Sequence, residues 1–124
     1  MPDKKAVVLC IDDDPDILAF LQIVLEGAGY AFVGADSAEE GLRAYAGAAP
    51  DAVIVDLMME EVDAGTSFVR ELRVLGNKAP IFMLSSTGDN LAMAVDVSTL
   101  GLAGVLQKPV SKERLLSLIK AKLG

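Results

Sequence analysis

The chain contains no histidine and no tryptophan, one cysteine, and aromatic residues at only 5% of its 124 positions. Each shortage removes a class of chemistry. Without histidine there is no Ser-His-Asp hydrolysis, no His-based zinc site and no phosphohistidine relay carried on this chain. The lone Cys10 lies in the apolar run AVVLCI, which forbids a disulfide within the chain and predicts a thiol buried in a strand. Nothing favours it as a nucleophile, because no histidine is present to activate it. Positive charge is short as well: 11 Lys and Arg stand against 18 Asp and Glu, a formal net charge of −7. That sign repels phosphate backbones, so nucleic acid is not an expected partner. No segment approaches a membrane span and no signal peptide is visible, so a cytoplasmic protein without a membrane partner is expected.

What is present is a globular balance of 52% hydrophobic and 23% charged residues, consistent with one domain over residues 1–124. Short apolar runs alternate with helical periodicity. AVVLCI (6–11) reads as a buried strand closed by Asp12, Asp13 and Asp14. Asp14-Pro15 pairs an N-cap acceptor with a residue that has no N–H to satisfy, and predicts a helix that Gly27 and Gly29 stop. Residues 30–34 form a weaker strand, and Ser37 with Glu40 is a capping-box pattern opening a second helix to about Ala46. AVIVDLMM is apolar nearly throughout, the mark of a central parallel strand covered on both faces. Phe68, Val69, Leu72 and Leu75 mark a third helix ending at Gly76-Asn77. IFMLSS (81–86) is a fourth strand, residues near 90–100 a fourth helix, and Val105-Leu106 part of a fifth strand. Ser111 caps a last helix carrying Leu115, Leu116, Ile119 and Leu123. Five β-α units in one domain predict an α/β fold: a parallel sheet with helices on both faces.

Such sheets bind ligands beyond the carboxyl ends of their strands. The polar residues that interrupt the apolar pattern fall there: Asp12 and Asp13 after strand one, Asp56 after strand three, Ser85 and Ser86 after strand four, Lys108 after strand five. Three carboxylates gathered in one place repel one another unless they share a cation, and an all-oxygen set favours Mg²⁺ over zinc or iron. Lys108 supplies a mobile positive charge and Ser85 a hydroxyl. Metal, ammonium and hydroxyl around one carboxylate can stabilise a transferring phosphoryl group, with a carboxylate oxygen as nucleophile.

These segments carry a family pattern. LCIDDDPDI, VIVDLMM, IFMLSS and LQKP, in this order over nearly the whole chain, resemble the response-regulator receiver domain of two-component signalling. The resemblance implies a doubly wound (βα)5 sandwich with strand order 2-1-3-4-5. It implies Asp56 as phosphoacceptor, and Asp13, Asp56 and the backbone carbonyl of Met58 as direct ligands of Mg²⁺, with Asp12 acting mainly through a bound water. Ser85 and Lys108 would contact the phosphoryl group, with the Ser86 amide nearby. It further implies a sensor histidine kinase or phosphotransfer protein as phosphodonor. Such a domain catalyses its own phosphorylation and slow hydrolysis and is not a conventional enzyme. Its output would be altered binding to a downstream protein, with a homodimer through the face of helix 4, strand 5 and helix 5 as one form. No output module follows the last helix, so a standalone receiver is expected.

Three features depart from the pattern. Val105 stands where the family usually has an aromatic switch residue. The loop MMEEVDAGTS has Glu60 where Pro is frequent and Ala64 where Gly is, and Glu60, Glu61 and Asp63 add negative charge. The stretch from Thr87 to Gly104 is unusually apolar, and Leu91, Met93, Val95, Val97 and Leu100 cannot share one helical face. A phosphorylation-independent binding module (a pseudo-receiver) is therefore an alternative. An aspartyl-phosphate phosphatase is a second, opposed by Met58 where a general acid would stand. A flavodoxin-like flavin carrier is opposed by three aspartates where its phosphate would bind.

Overall fold

A computed structural model describes residues 5–56, 64–85, 102–108 and 110–123. The elements run β1 (Val7–Ile11), α1 (Pro15–Gly27), β2 (Ala31–Ala35), α2 (Ala38–Ala48), β3 (Ala52–Asp56), α3 (Ala64–Val74), β4 (Ile81–Ser85), β5 (Gly104–Gln107) and α4 (Lys112–Leu123). The helix expected near residues 90–100 lies outside the described residues, so α4 denotes the last helix. All four strand pairings are parallel and the sheet order is β2-β1-β3-β4-β5. The winding reverses between β1 and β3: the chain first adds β2 on one side of β1, then returns to lay β3 on the other. At such a switch point the connections diverge to opposite faces and leave a crevice at the carboxyl ends.

Alternation along each strand divides the core in two. Leu9, Ile11, Val53, Val55, Ile81 and Met83 pack with Phe68, Val69 and Leu72 of α3. Val8, Cys10, Ala52, Ile54, Phe82 and Leu84 pack with Leu21, Val24 and Leu25 of α1 and Leu115 and Ile119 of α4. Every residue of β3 and β4 is buried, which is why these strands read as continuously apolar instead of alternating. Gly41 lets α2 sit close: a Cβ there would meet Ile11 Cγ1 at 2.9 Å and Phe68 Cε1 at 3.0 Å.

The helix boundaries follow their caps. The Asp14 carboxylate accepts from the Asp16 amide at 2.9 Å, with Pro15 in the first turn. Ser37 Oγ accepts from the Glu40 amide at 3.1 Å, and the Ser111 hydroxyl accepts from the Arg114 amide at 3.3 Å. One expectation needs adjustment: Gly27 does not stop α1 but is its last residue. The left-handed turn is made at Gly29, whose φ of +95° suits a residue without a Cβ.

Candidate functional site

The carboxyl ends of β1 and β3 each deliver one buried carboxylate. Asp12 follows Ile11 and is fully buried; Asp56, the last residue of β3, is 3% exposed. The strands are in register at Ile11 and Val55, so the two aspartates extend adjacent strands at the switch point. Both continue the row formed by Cys10 and Ile54, which places them above the α1–α4 core. The local fold fixes Asp12 further. Its backbone amide donates to the Ala35 carbonyl at 3.1 Å, and its Oδ1 accepts from the Asp14 amide at 2.9 Å. Asp13, the next residue, is exposed.

Lys108 reaches this pair from the far side of the sheet. Its backbone amide donates to the Ser85 carbonyl at 2.8 Å, which ties the end of β5 to the end of β4. Its ammonium lies 3.2 Å from Asp12 Oδ2 and 3.3 Å from Asp56 Oδ1. The lysine reaches inward from β5 and the two aspartates reach up from β1 and β3, so the three side chains together close the gap. Burial pulls the ammonium pKa down, but Asp56 and then Asp12 more than offset this and hold it above the ordinary lysine value. The sequence suggested a cation able to pair with whatever anion binds; in this structure it lies between two carboxylates.

One cation does not satisfy three acids. Asp12 Oδ2 is shielded from solvent and, despite the ammonium at 3.2 Å, accepts no well-directed hydrogen bond among the described residues. Asp12, Asp13 and Asp56 each offer an oxygen within 4.8 Å of the others. An under-satisfied buried oxygen inside a cluster of hard, anionic donors fits a small divalent cation. Ser85, 2% exposed, ends β4 one residue beyond Leu84, the register partner of Asp56. Asp12, Asp13, Asp56, Ser85 and Lys108 are therefore together at one edge. Met58 and Ser86, with Glu60, Glu61, Asp63, Thr87 and the apolar stretch after it, lie outside the described residues.

A model of the response regulator receiver domain matches residues 8–120. The chain belongs to the response regulator receiver domain family. The transcriptional regulatory protein GlrR of Escherichia coli K12 is 36% identical over 119 residues, covering 96% of this chain and 26% of GlrR. The response regulator protein TodT of Pseudomonas putida is 32% identical over 123 residues, covering 99% of this chain and 53% of TodT. This receiver domain thus spans between a quarter and about half of these curated relatives. The chemotaxis protein CheY4 of Vibrio cholerae superposes with a TM-score of 0.87 at 30% identity, over 96% of this chain and 99% of CheY4. A receiver domain protein from Clostridium thermocellum gives 0.85 at 30% identity, over 94% and 93% of the two chains.

In this receiver the acidic cluster and its lysine form a phosphoaspartate acceptor site, with a carboxylate set able to hold a metal. Sequence reasoning missed the Asp12–Lys108 ion pair, having reserved the lysine for an incoming phosphoryl group. Parity could have revealed it: positions 12, 56 and 108 each continue a row of even-numbered core residues on the same side of the sheet. Val105 is partly buried and packs against the α3-side core, in register with Met83. Among the described residues no helix is long and apolar enough to cross a membrane.

Proposed function

We propose that this single receiver domain takes a phosphoryl group onto Asp56 from a phosphohistidine and signals by changing its protein contacts. The observation that carries the reading is the Lys108 ammonium bridging Asp12 and Asp56 at a carboxyl edge where a third carboxylate also gathers. A carboxylate oxygen of Asp56 attacks phosphorus, the P–N bond to the donor imidazole breaks, and the imidazole leaves with that electron pair and takes up a proton. Lys108 is already within reach and can follow the charge from the carboxylate to a phosphoryl oxygen. Ser85 offers a hydroxyl donor at the same edge. Mg²⁺ is the cation that suits Asp12, Asp13, Asp56 and the Met58 carbonyl; when bound it would neutralise the cluster and stabilise charge on the phosphoryl oxygens.

The donor is a sensor histidine kinase or a phosphotransfer protein, and the output is a shifted population at the face that includes β5 and α4. A homodimer through that face is one form the output can take. Val105 in place of an aromatic makes the coupling to this face different from the usual form. Borohydride reduction of phosphodonor-treated protein, followed by peptide mapping, tests the assignment. Conversion of Asp56 to homoserine is expected; conversion at Asp12 or Asp13, or at none of them, contradicts it.

A further inference from the structure

We infer that the surface where α3 ends and β4 begins is a docking site for an acidic partner segment with an apolar anchor. It lies at the amino edge of the sheet, opposite the Asp56 site, so a partner held there leaves the acceptor edge open. A pocket of about 280 Å³ opens between the last turn of α3 and the start of β4. Val69, Pro80 and Ile81 supply apolar lining, while Arg73 and Lys78 supply positive charge. Directly after Arg73 in the chain, Val74 is 81% and Leu75 60% exposed, two of the three large hydrophobics exposed among the described residues.

The wall of this pocket is built rather than loose. Asn77 Oδ1 accepts from the Ala79 amide at 3.1 Å and from the Tyr45 hydroxyl at 2.9 Å, and Asn77 Nδ2 donates to the Ala79 carbonyl at 2.9 Å. Gly76, with φ of +84°, lets the Asn77 amide return to the Leu72 carbonyl at 3.0 Å. A partner would therefore meet a pre-set shape and lose little to ordering it.

Charge selects the occupant. Residues 70–78 hold Arg70, Arg73 and Lys78 against one acid, Glu71, in a chain whose formal charge is −7. All four are exposed. Exposed apolar side chains in a locally cationic segment of an acidic protein favour a partner that presents carboxylates around an apolar side chain. A second copy is the poorer fit, because two-fold pairing through this patch would set its cations against themselves.

The test is an amide NMR titration of ¹⁵N-labelled protein with the acetylated peptide Glu-Asp-Leu-Phe-Asp-Glu. Saturable shifts are expected at Arg73, Val74, Asn77 and Lys78. The double variant Arg73→Glu/Lys78→Glu should bind about tenfold more weakly, as expected for inverting two exposed charges. Val74→Ser should weaken binding without changing charge, and dispersed spectra will show that both variants are folded. A peptide with Gly-Ser in place of Leu-Phe should bind more weakly, and one with Lys in place of the acids should not bind. The inference is overturned by no shifts, by shifts centred elsewhere, or by equal affinity for the Gly-Ser peptide. Peptide-free shifts at these residues that grow with protein concentration would also overturn it, assigning the surface to a second copy.

Discussion

The Lys108 ammonium lies 3.2 Å from Asp12 Oδ2, joining the last strand to the first across the two strands between them. The contact explains how two carboxylates as deeply buried as Asp12 and Asp56 can remain at a sheet edge. Lys108→Met would leave both without their cation. In chelator, that substitution is expected to cost about 3 kcal/mol in urea unfolding, the low end for breaking a buried pair because Lys108 is partly exposed. The sign of the pH dependence follows from the raised ammonium pKa. The contribution is fully present below the unfolded lysine value, about 10.4, and fades as pH rises through the higher folded value. The difference between wild type and Lys108→Met should therefore be flat from neutrality to about pH 10.

Divalent cation should stabilise the fold through the same cluster. Mg²⁺ at ten times its dissociation constant should add about 1.4 kcal/mol, a rise in Tm of about 5 °C for a domain of this size. Asp13→Asn removes an exposed carboxylate from the set without disturbing the buried pair, and should abolish most of that rise. An equal rise in wild type and variant would count against the cluster as the metal site.

Cys10 is fully buried in β1, and burial, followed by the charge of Asp12, pushes its thiol above the ordinary cysteine value. A thiol reagent at pH 8 should label it only in denaturant. The unfolded thiol ionises first, so its contribution to stability is complete below about pH 8.5 and falls as pH rises. Between pH 9 and 10, wild type should lose stability more steeply than Cys10→Ala, by up to about 1.4 kcal/mol per pH unit.

Gly41→Ala tests the packing of α2. Helix propensity favours alanine by about 1 kcal/mol, but the added methyl would sit 2.9 Å from Ile11 Cγ1 and 3.0 Å from Phe68 Cε1. The overpacking term should win, for a net loss of about 1–2 kcal/mol in denaturant unfolding.

Much of this was legible in the residues themselves. The apolar runs, the Asp14-Pro15 and Ser37 caps, and the polar residues at strand ends led to the parallel sheet and to Asp12, Asp56, Ser85 and Lys108 at one edge. Residues held by local chemistry were the easiest to place, because a cap or a buried strand is decided within a few positions. The Asp12–Lys108 pairing was harder, since it depends on how far one side chain crosses the sheet. The pocket below α3 was harder still. Arg73 and Lys78 look like ordinary solvated residues in sequence, and gain meaning only when Asn77 fixes the turn that lets them line one pocket with Ile81.

The central claim is that Asp56 accepts a phosphoryl group with the help of a divalent cation. Intact-protein mass spectrometry after incubation with a small phosphodonor, with and without Mg²⁺, on wild type and Asp56→Asn, tests it most directly. One added phosphoryl group that requires Mg²⁺ and is absent from folded Asp56→Asn is the predicted result. No adduct on folded wild type, with a phosphorylated histidine kinase domain failing as donor too, would contradict it and leave a phosphorylation-independent binding module.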